Sequence, residues 1–76
     1  MPVRPVFEFE VYSGGSKNPS TVTKSTKVAA KSFNRIKKLD PRRAEFRLIH
    51  LRSRLSVKTT DAEVVNRLLR FATKVG

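Results

Sequence analysis

Apolar and polar residues alternate at the beginning of the chain. A period of two along residues 3–12 is typical of a half-buried β-strand. The predicted buried face carries Val3, Phe7, Phe9 and Val11, and the other face carries Arg4, Glu8, Glu10 and Tyr12. Residues 13–20, with the sequence SGGSKNPS, follow this strand. They predict a flexible loop, because glycine, serine and proline favour turns.

The next segment carries a short strand signal. Thr21, Val22, Thr23 and Thr26 favour a β-strand that pairs back on the first strand as a hairpin. A helix that begins as early as Ser20 is the alternative for residues 21–27, and we favour the strand.

A helical pattern then runs from about Lys27 to Leu39. Ala29, Phe33 and Ile36 fall within one narrow stripe at 100° per residue, which predicts an amphipathic helix. We expect this helix to end at Asp40-Pro41, because the residue before a proline disfavours the helical conformation.

A period of two returns between residues 45 and 59 and predicts one long strand. Its apolar members, predicted to share one face, are Ile49, Leu51, Leu55 and Val57, and its polar members are His50, Arg52, Arg54, Ser56 and Lys58. A helix over residues 42–55 is the alternative, with Asp40 as its cap and Pro41 at its first position.

The chain ends with a second helical pattern. Thr60-Asp61-Ala62-Glu63 reads as a capping box, in which Thr60 caps the helix and Glu63 reaches back. The residues predicted to be buried on this helix are Val64, Val65, Leu68, Leu69 and Ala72. The phenylalanines predicted to join the core are Phe7, Phe9, Phe33, Phe46 and Phe71.

These elements predict an α+β fold in the order β(β)αβα. Residues 1–76 would form a single two-layer domain, with the helices on one face of a two- or three-stranded sheet. A domain this small has a small core, and partner surfaces often add to its stability.

The net charge of the chain limits the classes of function that are expected for it. The net charge is +11, from 17 Lys and Arg against 6 Asp and Glu, and residues 21–58 alone carry +10. The bases of this segment alternate with apolar residues, so we expect a folded surface instead of a disordered basic tail. Such a surface favours a polyanion as the partner, and the candidates are RNA, DNA, an anionic membrane face or an acidic protein.

Three groups of cations are the predicted nucleic-acid-binding site. The first helix would present Lys27, Lys31, Arg35 and Lys38, and Lys24 would join them if the helix begins early. The following turn would present Arg42 and Arg43, and the long strand would present Arg52, Arg54 and Lys58. Together they suggest about 6–10 phosphate contacts and a steep dependence of affinity on salt. Tyr12 is the one aromatic residue expected on an outer face, where it would be an ordinary surface tyrosine or stack on a base.

Other chemistry is sparse in the sequence. There is no cysteine and a single histidine, so we expect no disulfide, metal site or cofactor. No nucleophile–base pair or carboxylate dyad is evident, so we expect no catalytic residue and a protein that is not an enzyme. No apolar run is long enough to cross a membrane and no signal peptide is evident, which leads us to expect an intracellular protein without a membrane partner.

In size, charge and interleaving of basic and apolar residues, the chain resembles small basic ribosomal proteins. The resemblance covers residues 3–75 in general terms and rests on the element order and on the segment Lys24–Lys58. It implies a structural RNA-binding protein that clamps rRNA phosphates, with neighbouring proteins of the assembly as further partners.

Two other classes remain open at this stage. A DNA-binding regulator or packaging protein is the main alternative, and its helix-turn-helix form would need residues 42–55 to be helical. Residues 6–11 and 35–39 also look like segments of the small linker polypeptides of phycobilisomes, which would imply a role in protein assembly. Those linkers carry Gly-Gly before their last strand, where this chain has Pro41-Arg42.

Overall fold

The computed structural model describes residues 6–75, and the predicted strand residues 3–5 lie outside this range. The elements are β1 (Phe7–Tyr12), β2 (Thr21–Thr23), α1 (Thr26–Leu39), β3 (Glu45–His50), β4 (Ser56–Thr59) and α2 (Ala62–Val75). The strands form one antiparallel sheet in the order β2-β1-β3-β4. The α+β class is therefore confirmed, although the order of elements is ββαββα and the sheet has four strands.

The first ββα unit matches the sequence pattern closely. β1 pairs with β2 through Phe9 opposite Thr23 and Val11 opposite Thr21, so the strand interpretation of Thr21–Thr23 is correct. The Ser25 hydroxyl accepts a hydrogen bond from the Val28 amide at 3.3 Å and caps α1. The helix then ends at Leu39, as predicted, and residues 41–43 form the turn into β3.

The single long strand predicted over residues 45–59 is wrong. The chain turns at residues 51–55, and β3 pairs with β4 as an antiparallel hairpin. The backbone of His50 accepts from the Arg54 amide and donates to the Leu55 carbonyl, both at 2.8 Å. Arg54 has a φ of +64°, so it occupies the left-handed position that glycine takes in a G1 bulge. The alternative helix over residues 42–55 is also wrong.

The hairpin changes which side chains face the helices. Leu48 is opposite Val57 and His50 is opposite Phe7, and these residues lie on the helix-facing side of the sheet with Phe46. Ile49 therefore lies on the outer side, contrary to the prediction. The cause is the register of β3, whose inner positions are set by Phe46 and Leu48, which are both buried.

Three phenylalanines join the sheet to α1. The ring centroids of Phe9 and Phe46 lie 5.8 Å apart, and those of Phe33 and Phe46 lie 6.0 Å apart in an edge-to-face arrangement. All three are essentially excluded from solvent. Ala29 and Ile36, one turn away on either side of Phe33, complete the face of α1 that packs on the sheet.

α2 runs antiparallel to α1 in the same layer. Its cap is Asp61 and not Thr60, because the Asp61 carboxylate accepts from the Glu63 amide at 2.8 Å. Val65 and Ala72 are buried against the core, but Phe71 remains 52 % exposed, so its assignment to the core is wrong. The Phe71 ring reaches only the margin of the core, where its centroid lies 5.8 Å from that of Phe7.

The loop between β1 and β2 packs on the turn that follows α1. A Cβ atom at Gly14 would overlap the side chains of Asp40 and Arg43, with Arg43 Cδ only 2.7 Å away. Gly15, by contrast, has open space around its Cα but a φ of +76°. Each glycine is thus required for a different reason, the first for close approach and the second for backbone conformation.

Arg54→Gly is expected to stabilise the protein. Glycine adopts a positive φ without the penalty that a Cβ imposes, so we expect the free energy of unfolding to rise by about 0.5–1 kcal/mol. Urea unfolding followed by circular dichroism would measure the change. Arg52→Gly is the matched control, because it removes the same charge from the same turn without relieving a positive φ. An equal response of the two variants would contradict the strained bulge.

The two loop glycines should respond differently to substitution. Gly14→Ala is expected to lower the free energy of unfolding by about 1–3 kcal/mol, because the new methyl group must displace Asp40 and Arg43. Gly15→Asn should cost far less, since asparagine tolerates the left-handed region and its Cβ meets no atom within 4 Å. Chemical denaturation of both variants checks this ranking, and the reverse order would refute the packing of the loop on the turn.

Candidate nucleic-acid interface

The outer face of α1 carries a row of cations. Burial of Ala29, Phe33 and Ile36 fixes the rotation of the helix about its axis. That rotation leaves exposed the predicted site residues Lys27, Lys31, Arg35 and Lys38, with Lys24 exposed just before the cap. At 1.5 Å per residue the row from Lys27 to Lys38 is about 16 Å long. We refer to these five residues as the α1 ridge.

A groove between α1 and α2 lies beside the α1 ridge. Ala30 and Leu69 are its apolar members, and its polar members are Thr26, Lys27, Asn66, Arg70, Thr73 and Lys74. No acidic residue lines it. The sequence analysis missed Arg70 and Lys74 as site residues, although their spacing from Asn66 places all three along one side of α2. This spacing was visible in the sequence, but it does not show which side of α2 packs beside α1.

The other predicted cations lie outside α1. Arg42 and Arg43 are exposed on the turn after α1, as expected. The basic strand row predicted from Arg52, Arg54 and Lys58 does not exist, because Arg52 and Arg54 belong to the turn of the β3–β4 hairpin. Lys58 alone is on a strand, opposite Arg47 on the outer side of the sheet.

The outer side of the sheet has a different charge balance. It carries Glu8, Glu10 and Glu45 with Arg47 and Lys58, as the strand registers show. The Arg47 guanidinium donates from Nε to Glu45 at 2.8 Å, the only ion pair within residues 6–75. This side is therefore close to neutral, and nearly all of the excess positive charge lies on the helices and the turns.

Tyr12 lies on this outer side at the end of β1 and is not free to stack on a base. Its hydroxyl donates to Glu10 Oε1 at 3.0 Å, and the Arg47 guanidinium carbon lies 4.3 Å from the ring centroid. The residue is only 8 % exposed. Its predicted place on the outer face is correct, but both expected surface roles are wrong because the guanidinium of Arg47 covers the ring.

Two pKa values respond to this arrangement. Burial, followed by the hydrogen bond to Glu10, raises the pKa of Tyr12. The hydrogen bond to Glu45 raises the pKa of Arg47, so the guanidinium beside the tyrosine ring stays charged.

His50 takes part in the structure of the hairpin. Its Nδ1 accepts from the Ser53 amide at 3.1 Å and lies 2.7 Å from the Ser53 hydroxyl. The ring also contacts Phe7 edge-on, with 5.5 Å between centroids. Among residues 6–75 no carboxylate is hydrogen-bonded to this ring, and no group of three or more potential metal ligands comes together.

Neither of the two helices that the structure describes has the length and apolar character needed to span a bilayer.

Comparison of the chain with protein-family models, with curated protein sequences and with solved structures found no match in any of the three. The arrangement of charged and apolar groups described above is therefore the basis on which function is inferred.

The single tyrosine allows a direct test of the outer-side network by titration. Because the pKa of Tyr12 is raised in the folded state, its phenol stabilises the fold fully below the ordinary value of about 10. That contribution is lost as pH rises through the folded value. Phenolate absorbance, with no tryptophan in the chain to interfere, should appear at higher pH in native protein than in urea.

Glu10→Gln should shift this titration toward the ordinary value, because it removes the carboxylate that accepts the hydrogen bond. Glu8→Gln is the matched control on the same strand and should shift it far less. Identical titration of folded and unfolded protein would show that Tyr12 is neither buried nor bonded as described.

Proposed function

We propose that the protein is a structural RNA-binding component of a ribonucleoprotein particle. The observation that carries this proposal is the separation of charge between the two sides of the domain. α1 contains no acidic residue, whereas three of the six acids of the chain lie on the outer side of the sheet. A polyanion would therefore approach the helix layer.

The α1 ridge and the adjoining groove suit a phosphate backbone. The ridge offers separate cations along about 16 Å, which matches several successive phosphates and not a single compact anion. Lys27 belongs to both surfaces and joins the ridge to Arg70 and Lys74. The side chains are long and exposed, and only Lys37, beside the ridge, is held by a hydrogen bond, to the Thr60 carbonyl at 2.7 Å. Contacts of this kind position a protein on nucleic acid without reading bases.

We propose RNA as the ligand in preference to DNA because of the fold. The helix-turn-helix form of the DNA-binding alternative needs a second helix directly after Asp40-Pro41, where the chain instead forms the β3–β4 hairpin. The only outer-face aromatic residue, Tyr12, is covered, which disfavours base stacking on the sheet. Recognition of the shape and phosphates of structured RNA, such as rRNA, fits the remaining surface. DNA packaging stays as an outcome of the test.

The surroundings of His50 favour a role without catalysis. The one serine–histidine contact, between Ser53 and His50, stabilises a turn, and the imidazole nitrogen nearest the hydroxyl also accepts a backbone amide. A ribosomal or similar particle would supply the partner surface that a domain of this size lacks.

Neutralising the α1 ridge should weaken RNA binding specifically. In Lys27→Gln/Lys31→Gln/Arg35→Gln, we expect affinity for a structured RNA to fall about tenfold or more near 0.1 M salt. The slope of log affinity against log salt should become shallower by roughly 2–3. Fluorescence anisotropy across a salt series measures both quantities. Parallel titrations with single-stranded RNA and duplex DNA establish the preference.

The matched control is Lys17→Gln/Lys58→Gln/Arg67→Gln, which removes the same charge from exposed sites outside the ridge. It should retain most of the affinity and slope. Equal losses in the two triple variants would mean that binding depends on net charge alone. Absent or salt-insensitive binding to all three nucleic acids would overturn the proposal, and a preference for duplex DNA would favour the packaging role.

A further inference from the structure

The two outer strands of the sheet are not equally protected. β2 lies beneath α1, where the Thr21 hydroxyl is hydrogen-bonded to the Ser32 hydroxyl at 2.5 Å. β4 occupies the equivalent position in the second ββα unit, but Ser56, Val57 and Lys58 are all exposed. The helix-facing side of β2 is thus packed against α1, whereas the side chains of β4 are left uncovered, and we call β4 the open edge of the sheet.

The backbone of the open edge is ready to pair with another strand. The bond from the His50 amide to the Leu55 carbonyl sets the phase of the antiparallel ladder. By the alternation of such a ladder, the amide and carbonyl groups of Ser56 and Lys58 point away from β3. Unpaired edge groups of this kind are templates for an added strand.

Apolar side chains lie beside this edge on the helix-facing side. Leu55 is 73 % exposed and Val57 is 48 % exposed. Phe71 of α2 contacts Phe7 of β1, so α2 packs toward the middle of the sheet and leaves the side chains of β4 uncovered. We call Leu55 and Val57 the β4 patch. Such a patch next to a strand edge offers pockets for alternate side chains of an added strand.

The charges around the edge define the partner. Residues 46–60 contain Arg47, Arg52, Arg54 and Lys58 and no acidic residue. A second copy of this chain, also carrying +11, would bring like charges together across the new pair of strands. A phosphate backbone would satisfy the cations but neither the strand edge nor the β4 patch. An extended segment of another protein, acidic on one face and apolar on the other, satisfies all three.

We propose that β4 is a docking edge for an acidic, alternately apolar strand of a protein partner, which would extend the sheet by one strand. This site is separate from the RNA surface of α1. The protein would then connect RNA, held by the helix layer, to a neighbouring protein, held by the sheet edge.

The test uses an eight-residue peptide of alternating Glu and Val, titrated into ¹⁵N-labelled full-length protein and followed by NMR. We expect the amide signals of Ser56 and Lys58 to shift and cross-strand contacts to appear. A peptide of alternating Lys and Val should not bind. Leu55→Ser is expected to weaken binding about tenfold or more by removing apolar contact area from the β4 patch without changing the charge. Leu39→Ser is the matched control, since Leu39 is 82 % exposed at the far end of α1.

Several results would overturn the proposal. They are absence of binding, shifts confined to α1, equal weakening by Leu55→Ser and Leu39→Ser, and displacement of the peptide by structured RNA at the same amides. A concentration-dependent dimer in sedimentation that Leu55→Ser abolishes would replace the acidic partner with a second copy. The variant Lys27→Gln/Lys31→Gln/Arg35→Gln should still bind the peptide, because only RNA binding depends on the α1 ridge. This measurement therefore tests the docking edge independently of the RNA proposal.

Discussion

The packing of Phe46 against Phe33 and Phe9 is the interaction on which the rest of the domain depends. These rings join α1 to the two central strands, and each is essentially excluded from solvent. A chain with a net charge of +11 is destabilised by self-repulsion in any compact state. Burial of large aromatic groups offsets this repulsion, because a fully buried phenylalanine contributes roughly 1.5–3 kcal/mol.

The same contact also determines where the charge lies. With Phe33 facing the sheet, helical periodicity places Lys31 and Arg35 on the opposite side of α1. Antiparallel packing of α2 then brings Arg70 and Lys74 beside Lys27. On the other side of the sheet, Arg47 forms an ion pair with Glu45 and its guanidinium lies over the ring of Tyr12. The basic helix layer and the nearly neutral sheet surface are thus two consequences of one packing arrangement.

The sequence predicted those elements in which local pattern and packing agree. β1 and α1 have clear periods, and α1 has sharp ends at Ser25 and Asp40, so the ridge residues were correctly placed on one exposed face. The hairpin was missed because residues 49–57 keep a period of two straight through the turn. Its turn also lacks the usual glycine, since Arg54 occupies the left-handed position.

Other features depended on tertiary contacts that no local pattern carries. Thr60 and Asp61 are both good capping residues, and only the course of the chain after β4 selects Asp61. The covering of Tyr12 required the register that places Glu10 opposite Arg47 and Tyr12 opposite Glu45. The α1–α2 groove required the relative direction of two helices. In each case the missing information was a contact between residues distant in sequence.

The ββα order occurs twice, yet the two units differ in what they leave exposed. In the first unit, Ser32 of α1 reaches Thr21 and the helix covers its outer strand. In the second, Phe71 contacts Phe7 of β1, so α2 packs toward the middle of the sheet and leaves Val57 half exposed. Moving α2 over β4 would require Val65 and Ala72 to leave the core that they share with Phe33. The open edge is therefore a consequence of how a small core is filled. The packing that exposes β4 for strand pairing is the same packing that exposes the cations of α1.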